Sequence, residues 1–198
     1  MKTLIVLISL LVSTVAVAQT RTSIVTVYSE QGKGTGFFVT RNLIMTNHHV
    51  VCEDNPYDDC EPDVVVGHRL YKVAGKVVAH DAPLDLALVF VGGSGPRPFT
   101  FCDSAMIGDE VEVWTFEFGR FKIRQGVILQ AWINKYVTST GLISGNSGSP
   151  LMKKIGPLKY CVAGVSKSTY TSNNQAIHVN EYQARKFLNK YLSSGSVK

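Results

Sequence analysis

The sequence has 198 residues, of which 45% are hydrophobic and 18% charged, and its net charge is +5 at pH 7. The basic excess is mild, and no run of Lys and Arg is interleaved with aromatic residues. We therefore expect no nucleic-acid partner.

The N-terminal segment has the pattern of an export signal. Lys2 precedes an apolar stretch from Leu4 to Val12, and small residues follow as far as Ala18, which is typical of a secretory signal peptide with an A-x-A cleavage site. A membrane anchor is the alternative, but it needs about 20 apolar residues and polar residues break this stretch too early. We expect residues 1–18 to be removed, leaving a periplasmic or extracellular protein without a stable membrane anchor.

The mature chain contains short β-rich runs separated by turn residues, a pattern typical of an all-β barrel or sandwich. A Gly/Pro-rich break between Val91 and Thr100 divides it into two similar halves, 19–95 and 96–198. Aromatic residues in and beside the runs are expected to fill the core, among them Phe37, Phe38, Phe116, Phe118 and Trp132. The runs are SIVTVYS, GTGFFVT, LIMTNHHVV, DVVVGHRLYKVAGKVVAH, LDLALVFV, EVEVWTF, FKIRQGVILQAWI, LKYCVAGVS and AIHVN.

Only the C-terminus has the pattern of a helix. Asn180 can cap it, and Gln183, three residues later, can complete a capping box. Apolar residues then recur at helical spacing, and they predict one face packed on the protein. These residues are Tyr182, Phe187, Leu188, Tyr191 and Leu192.

Four cysteines, an even number in an exported chain, predict two disulfides. Three pairings are possible, and we favour Cys52 with Cys60 and Cys102 with Cys161. No C-x-x-C pair indicates a zinc site. We expect no metal and no other cofactor.

The segment from Gly145 to Pro150, GNSGSP, carries the clearest chemical signal. Ser147 is flanked by Gly148 and, one residue further away, by Gly145. Because glycine has no Cβ, backbone N–H groups can converge there on a developing oxyanion while the serine hydroxyl faces a carbonyl. An ordinary tight turn is the alternative interpretation of the same string.

A serine nucleophile needs a base and an acid that orients the base. His49 follows an apolar strand and is the candidate base, whereas its neighbour His48 is assigned to a supporting or loop position. Asp85 lies in the apolar string APLDLALVF, where a carboxylate is expensive to bury without a hydrogen-bonded partner. Asp81 competes for this role, but the alternation of Leu86 and Leu88 favours Asp85.

These strings resemble the chymotrypsin-like serine proteases, whose triad also occurs in the order His, Asp, Ser. The agreement extends to GTGFFV, LIMTNHHV, DLAL, IGDEV and RQGVI, which are similar to segments of the bacterial branch that includes the high-temperature-requirement proteases and the glutamyl endopeptidases. The resemblance covers nearly the whole mature chain. Because the sequence ends soon after the C-terminal helix, we expect the chain to lack the PDZ module of the former group.

The resemblance implies two six-stranded antiparallel barrels with a C-terminal helix and the active site between the barrels. It implies a serine endopeptidase that acts on peptides or proteins, with the N–H groups of Gly145 and Ser147 as the oxyanion hole. It places Asn146 where zymogen-activated members carry Asp. Because Asn146 is neutral, we expect the oxyanion loop to form without propeptide cleavage.

The family pattern also places the primary specificity pocket, with Gly141 and Leu142 at its base and Val165, Ser166, Lys167 and Ser168 along its wall. No Asp stands where a trypsin-like pocket has one, which disfavours Arg or Lys at P1. Ser166 stands where glutamyl endopeptidases have His, which disfavours selectivity for Glu at P1. Small or medium apolar P1 residues are the expectation, although Lys167 could reach an acidic substrate group.

The segment from Cys52 to Asp63 contains six acidic residues. A calcium site is one interpretation, but no glycine-containing calcium-loop spacing occurs, and a solvated acidic loop is favoured. The spacing of His68, His80 and His178 in the sequence is not that of metal ligands, and we expect these side chains to be structural or exposed.

Two rival functions remain open from the sequence. A protease-fold binding protein would keep the barrels without turnover, and filled triad positions do not prove their alignment. An acyl hydrolase of the α/β-hydrolase class would order its residues Ser, acid, His and would alternate strands with helices. The chain has the opposite order and lacks that alternation, so this rival is disfavoured.

Overall fold

The computed structural model describes residues 21–30, 32–52, 60, 63–68, 71–170 and 172–195. Within this part of the chain, strands form two closed barrels of six strands each, and every pairing is antiparallel. The predicted fold class, two antiparallel barrels with a C-terminal helix, is confirmed. The predicted signal peptide lies outside the described residues.

The first barrel has the strand order β1-β2-β3-β6-β5-β4, and β4 pairs with β1 to close it. A helix of one turn, α1 (His48–Val51), follows β3 after the single residue Asn47. The sequence had not indicated this helix, because four residues are too few to show helical periodicity. The strands are β1 (Ile24–Ser29), β2 (Gly32–Phe38), β3 (Leu43–Thr46), β4 (Asp63–His68), β5 (Tyr71–Asp81) and β6 (Leu86–Val91).

The second barrel has the strand order β10-β11-β12-β9-β8-β7, and β7 closes onto β10. The helix α2 (Glu181–Ser193) follows its last strand directly. The strands are β7 (Glu110–Glu117), β8 (Arg120–Ala131), β9 (Lys135–Thr138), β10 (Pro150–Gly156), β11 (Lys159–Tyr170) and β12 (Gln175–Asn180).

Strand β6 shows how the barrels are joined. Successive residues of a strand point to opposite faces, and here both faces are buried. Ala87 and Val89 pack inside the first barrel, whereas Leu86 and Leu88 belong to a cluster that also contains Trp114 of the second barrel. The residue before β6, Asp85, is therefore held at the seam between the two barrels.

Two disulfides join the cysteines as the sequence favoured, Cys52 with Cys60 and Cys102 with Cys161. The second bridge spans 59 residues and fastens the segment between the barrels to β11. Closing a loop of that length in the unfolded chain corresponds to about 4 kcal/mol of stabilisation in the chain-entropy model.

Two of the five expected core aromatics are exposed, while Phe37, Phe38 and Phe116 are buried as predicted. Phe118 is 91% exposed, because it and Gly119 form the two-residue turn between β7 and β8 with φ of 49° and 75°, the geometry of a type I′ hairpin. Trp132 is 56% exposed, since it begins the turn between β8 and β9.

Helix α2 begins as predicted, with the Asn180 side chain accepting a hydrogen bond from the Gln183 N–H at 3.1 Å. The Gln183 side chain, however, donates to the Ile133 carbonyl and does not complete a capping box. Tyr182 and Leu192 are exposed, whereas Phe187, Leu188 and Tyr191 are buried as expected. Ala184 completes the packed face. Among the described residues, no helix is both long and apolar enough to cross a membrane.

Candidate active site

His49 and Asp85 meet at the seam between the barrels. The His49 Nδ1 atom lies 2.9 Å from Asp85 Oδ2 and 3.0 Å from Oδ1. The His49 backbone N–H also donates to Asp85 Oδ1 at 3.0 Å. The Asp85 side chain is 7% exposed and that of His49 is 44% exposed. The carboxylate thus orients the imidazole through Nδ1 and leaves Nε2 as the nitrogen that can accept a proton.

The backbone of Asp85 is strained. Its φ is 61°, a left-handed conformation that costs a non-glycine residue about 1–3 kcal/mol and persists only where the surroundings enforce it. The Asp85 N–H donates to the Ala82 carbonyl at 3.0 Å, and the buried Asn47 side chain donates to the Asp85 carbonyl at 2.8 Å. Asn47, which the sequence had not assigned a role, therefore links the start of α1 to the residue that orients His49.

The two competing residues lie in other positions. Asp81 accepts a hydrogen bond from the Leu84 N–H at 2.9 Å, which shapes the turn leading to Asp85. His48 is buried, and its ring centroid lies 5.4 Å from that of His80. The geometry therefore favours Asp85 and His49 as the acid and base pair.

The loop that carries Ser147 is fastened to the first barrel. Thr35 on β2 donates its N–H to the Ser147 carbonyl and its hydroxyl to the Gly145 carbonyl, both at 2.8 Å. Gly34, also on β2, lies between α1 and the Ser147 loop, since a Cβ there would be 2.7 Å from Val50 Cγ2 and 3.0 Å from the Ser147 carbonyl oxygen. Through Gly34, the backbone of Ser147 therefore lies close to Val50 of α1, the helix that contains His49.

The N–H groups of this loop divide into two sets. Those of Asn146, Gly148 and Ser149 donate to carbonyl oxygens at 2.9–3.0 Å. Those of Gly145 and Ser147, the predicted oxyanion hole, have no acceptor within the described part of the chain. Gly145 has a φ of 92°, a conformation open to glycine and strained for other residues.

Asn146 anchors the loop from the inside. It is fully buried, accepts from the Ile143 N–H at 2.9 Å and donates to Thr115 Oγ1 at 2.9 Å and Glu117 Oε1 at 3.2 Å. Glu117 in turn pairs with Arg124 at 2.5 Å. The sequence offered no signal that this ion pair supports the loop, because Glu117 and Arg124 lie on β7 and β8, far before the loop in the chain.

The predicted pocket residues occupy two segments that approach each other. Leu142 accepts from the Thr169 hydroxyl through its carbonyl, next to Lys167 and Ser168 on β11. Gly141, Val165 and Ser166 are buried. Beneath Ser166 lies His178, whose ring contacts the hydroxyls of Ser166 at 3.1 Å and Thr138 at 2.9 Å. Burial lowers the pKa of His178 to about 3, so this imidazole is neutral at ordinary pH, a structural role that agrees with the sequence.

A cleft of about 220 Å³ opens beside Asp85. The Lys167 Nζ atom is 3.8 Å from Asp85 Oδ2 and its side chain is 36% exposed, so it extends from the acid towards the cleft. Lys135 adds a second positive charge. Of the predicted pocket residues, only Lys167 and Ser168 line this cleft. Its lining is Pro83, Leu84, Asn134, Lys135, Lys167, Ser168, Ile177 and Val179.

The acidic loop considered as a calcium site lies almost entirely in 53–59 and 61–62, outside the described residues.

A family model describing a trypsin-like peptidase domain matches residues 34–158, which is more than half of the chain. This match includes both His49 and Ser147. No curated protein matches the sequence.

Solved structures give the same fold. The active form of the Rv3671c protease from M. tuberculosis matches with a TM-score of 0.76 and 24% identity, covering 89% of this chain and 83% of that one. A serine endoprotease from Yersinia pestis matches with a TM-score of 0.76 and 21% identity, covering 91% of this chain and 66% of that one. The chain belongs to the trypsin-like peptidases, serine endopeptidases that act on peptide or protein substrates.

Proposed function

We propose that this endopeptidase works through a triad of His49, Asp85 and Ser147 and forms an acyl-enzyme on Ser147. The observation that carries the proposal is the imidazole of His49 held by both carboxylate oxygens of Asp85 at 2.9 and 3.0 Å. A histidine held in this way presents its second nitrogen as a base. On this proposal, the hydroxyl that it deprotonates belongs to Ser147, whose loop is fastened to β2 close to Val50 of α1.

In the first half of the reaction, Ser147 Oγ attacks the substrate carbonyl carbon while its proton passes to His49 Nε2. The carbonyl oxygen becomes an oxyanion, which the N–H groups of Gly145 and Ser147 stabilise. Losing one such donor typically costs about 3 kcal/mol of transition-state stabilisation. The imidazolium of His49 then gives its proton to the leaving amine as the C–N bond breaks.

In the second half, water attacks the ester carbonyl of the acyl-enzyme and gives its proton to His49. The imidazolium returns that proton to Ser147 Oγ as the ester bond breaks, which releases the acid product. Throughout, Asp85 stays ionised, fixes the tautomer of His49 and stabilises the imidazolium. The strained turn at Asp85 and its link to Asn47 keep the carboxylate in place.

The oxyanion loop, on this proposal, forms in the uncut chain. Asn146 is neutral and is supported by Thr115, Glu117 and the Ile143 N–H. Thr115 and Glu117 belong to β7 of the folded second barrel, so no newly formed N-terminal ammonium is needed to hold the loop.

The triad can be tested by covalent labelling with a fluorophosphonate probe, which reacts with activated serine hydroxyls. We expect the purified protein to be labelled on Ser147 and the Ser147→Ala variant to remain unlabelled. Peptide mapping of the labelled protein by mass spectrometry identifies the residue. Ser144→Ala is the matched control, because Ser144 is exposed in the same loop and its removal should leave labelling unchanged.

Failure of the folded, disulfide-bonded protein to react would contradict the triad and would favour a protease-fold binding protein. Labelling that persists in Ser147→Ala would assign the nucleophile to another residue.

Substrate choice is proposed to combine an apolar P1 side chain with an acidic group bound in the cleft beside Asp85. Lys167 and Lys135 both line that cleft, so a carboxylate there would face two ammonium groups. We expect Lys167→Met to lower the ratio of kcat/KM for acidic peptides to kcat/KM for matched neutral peptides about fivefold. This factor corresponds to about 1 kcal/mol, the size expected for a partly exposed ion pair.

A peptide-library cleavage profile of both proteins measures this ratio. Lys159→Met, on the same strand at an exposed position away from the cleft, should leave the ratio unchanged. An unchanged ratio in Lys167→Met would remove the acidic preference from the proposal.

Export to the periplasm or the extracellular space is part of the same proposal. The two disulfides support it, because disulfides persist in oxidising compartments.

A further inference from the structure

Four side chains with metal-binding atoms converge at the end of α1. They are His48, Cys52, Cys60 and His80, and one ligand atom from each lies within 4.8 Å of the ligand atoms of the other three. His48 and Cys52 are four residues apart, and the Cys52 N–H donates to the His48 carbonyl at 2.8 Å. Cys52 is the residue directly after α1, and this hydrogen bond holds it one turn beyond His48.

His80 reaches the group from strand β5. Its ring centroid is 5.4 Å from that of His48, with 36° between the ring planes. His48 and Cys52 are buried, Cys60 is half-buried and His80 is exposed. The group therefore has a dry side against the barrel and an open side through which an ion can enter.

In the disulfide-bonded protein, the two sulfur atoms are joined and cannot bind a metal as thiolates. Reduced, the group offers two thiolates and two imidazoles, which is the tetrahedral ligand set of structural zinc sites. Zn–S bonds of about 2.3 Å and Zn–N bonds of about 2.0–2.1 Å place tetrahedral ligand atoms about 3.3–3.8 Å apart. Reaching that geometry requires the sulfurs to separate and the other atoms to move by about 1 Å.

We propose that reduction of the Cys52–Cys60 disulfide creates a Zn²⁺ site formed by His48, Cys52, Cys60 and His80. Two molecules of a thiol reductant supply two electrons and two protons, which cleave the S–S bond, and the reductant leaves as its own disulfide. Zn²⁺ then displaces the two thiol protons, which pass to solvent. In the reverse direction, the disulfide of the reductant accepts two electrons from the Cys52 and Cys60 thiolates and two protons from solvent and leaves as two thiols, while the Cys52–Cys60 bond re-forms and the ion is released.

The exchange changes how α1 is held. With the disulfide closed, α1 is tied to the segment before β4, and with zinc bound it is tied to β5 as well through His80. His49 follows His48 directly in α1, so a metal ion bound to His48 also restrains the backbone of the candidate base, His49. The site itself depends only on the four ligands and stands whether or not Ser147 is the nucleophile.

Cobalt binding tests the site in the intact protein, because tetrahedral Co²⁺ bound to thiolates gives intense visible d–d bands and near-ultraviolet charge-transfer bands. The protein is reduced anaerobically with a phosphine, and Co²⁺ is added. We expect one equivalent to bind with these bands, and Zn²⁺ to displace it with loss of the colour. Without reduction, the bands should be absent.

Variants separate the four ligands from general metal binding. Cys52→Ser/Cys60→Ser should remove the charge-transfer bands, and His80→Ala, at an exposed position, should weaken Co²⁺ binding at least tenfold. Cys102→Ser/Cys161→Ser is the matched control and should keep the spectrum. The proposal is overturned if the reduced protein gives no thiolate–cobalt bands, or if Cys52→Ser/Cys60→Ser or His80→Ala binds as tightly as the unchanged protein.

Discussion

Asp85→Asn is expected to lower kcat by about 10⁴-fold while the protein remains folded. An amide at this position can donate a hydrogen bond to His49 Nδ1, which favours the tautomer whose Nε2 carries a proton and cannot act as a base. Asn also tolerates the left-handed φ of 61° observed at Asp85 better than most residues do. The measurement is kcat on a fluorogenic peptide, with circular dichroism to verify folding.

Asp81→Asn is the matched control for this change. Asp81 lies four residues earlier, and its carboxylate accepts a hydrogen bond from the Leu84 N–H. We therefore expect the activity of this variant to stay within a few-fold of that of the unchanged protein. If Asp85→Asn kept more than a tenth of the activity, Asp85 would not orient the base. Equal losses in both variants would point to the turn and not to the carboxylate.

The sequence predicted the parts of the molecule that are set by local patterns. Glycines beside Ser147, an apolar strand before His49 and the alternation of Leu86 and Leu88 each follow from a short string. They led to the pairing of His49 with Asp85, which the structure shows as a contact of 2.9 Å. The two-barrel fold was expected from the resemblance to the chymotrypsin-like serine proteases, and the disulfide pairing was the favoured one of the three that four cysteines allow.

The features that the sequence missed depend on residues far apart in the chain. Glu117 reaches the oxyanion loop only because β7 pairs with β10, and Arg124 reaches Glu117 only through the β7–β8 hairpin. The approach of His80 to His48 depends on the packing of β5 against α1. Such contacts have no sequence spacing of their own, so periodicity cannot indicate them.

Exposure of the aromatic residues was missed for a related reason. Phe118 was assigned to the core by its residue type, but its position at a two-residue hairpin turn decides its exposure. The flanking strands set that turn, since β7 and β8 pair as far as Glu117 and Arg120. Register in a sheet thus overrides residue type at strand ends.

Gly148→Ala is expected to destabilise the protein by about 2–5 kcal/mol. Gly148 has a φ of 80°, and a Cβ there would clash with the Thr35 carbonyl oxygen and Thr46 Oγ1 and would lie 3.1 Å from Thr46 Cα. The left-handed conformation costs about 1–2 kcal/mol, and overpacking against backbone typically adds about 1–3 kcal/mol. Urea unfolding with both disulfides intact measures the loss as a lower midpoint at an unchanged slope.

Gly119→Ala separates the two contributions. Gly119 has nearly the same φ, 75°, but a Cβ there would have no neighbour within 4 Å. Only the conformational cost of about 1–2 kcal/mol should therefore appear. Equal destabilisation by the two substitutions would show that Gly148 is required for its backbone angle alone. A larger loss at Gly148 supports a loop that fits against β2 and β3 too closely for any side chain, which is what holds Ser147 beside the helix of His49.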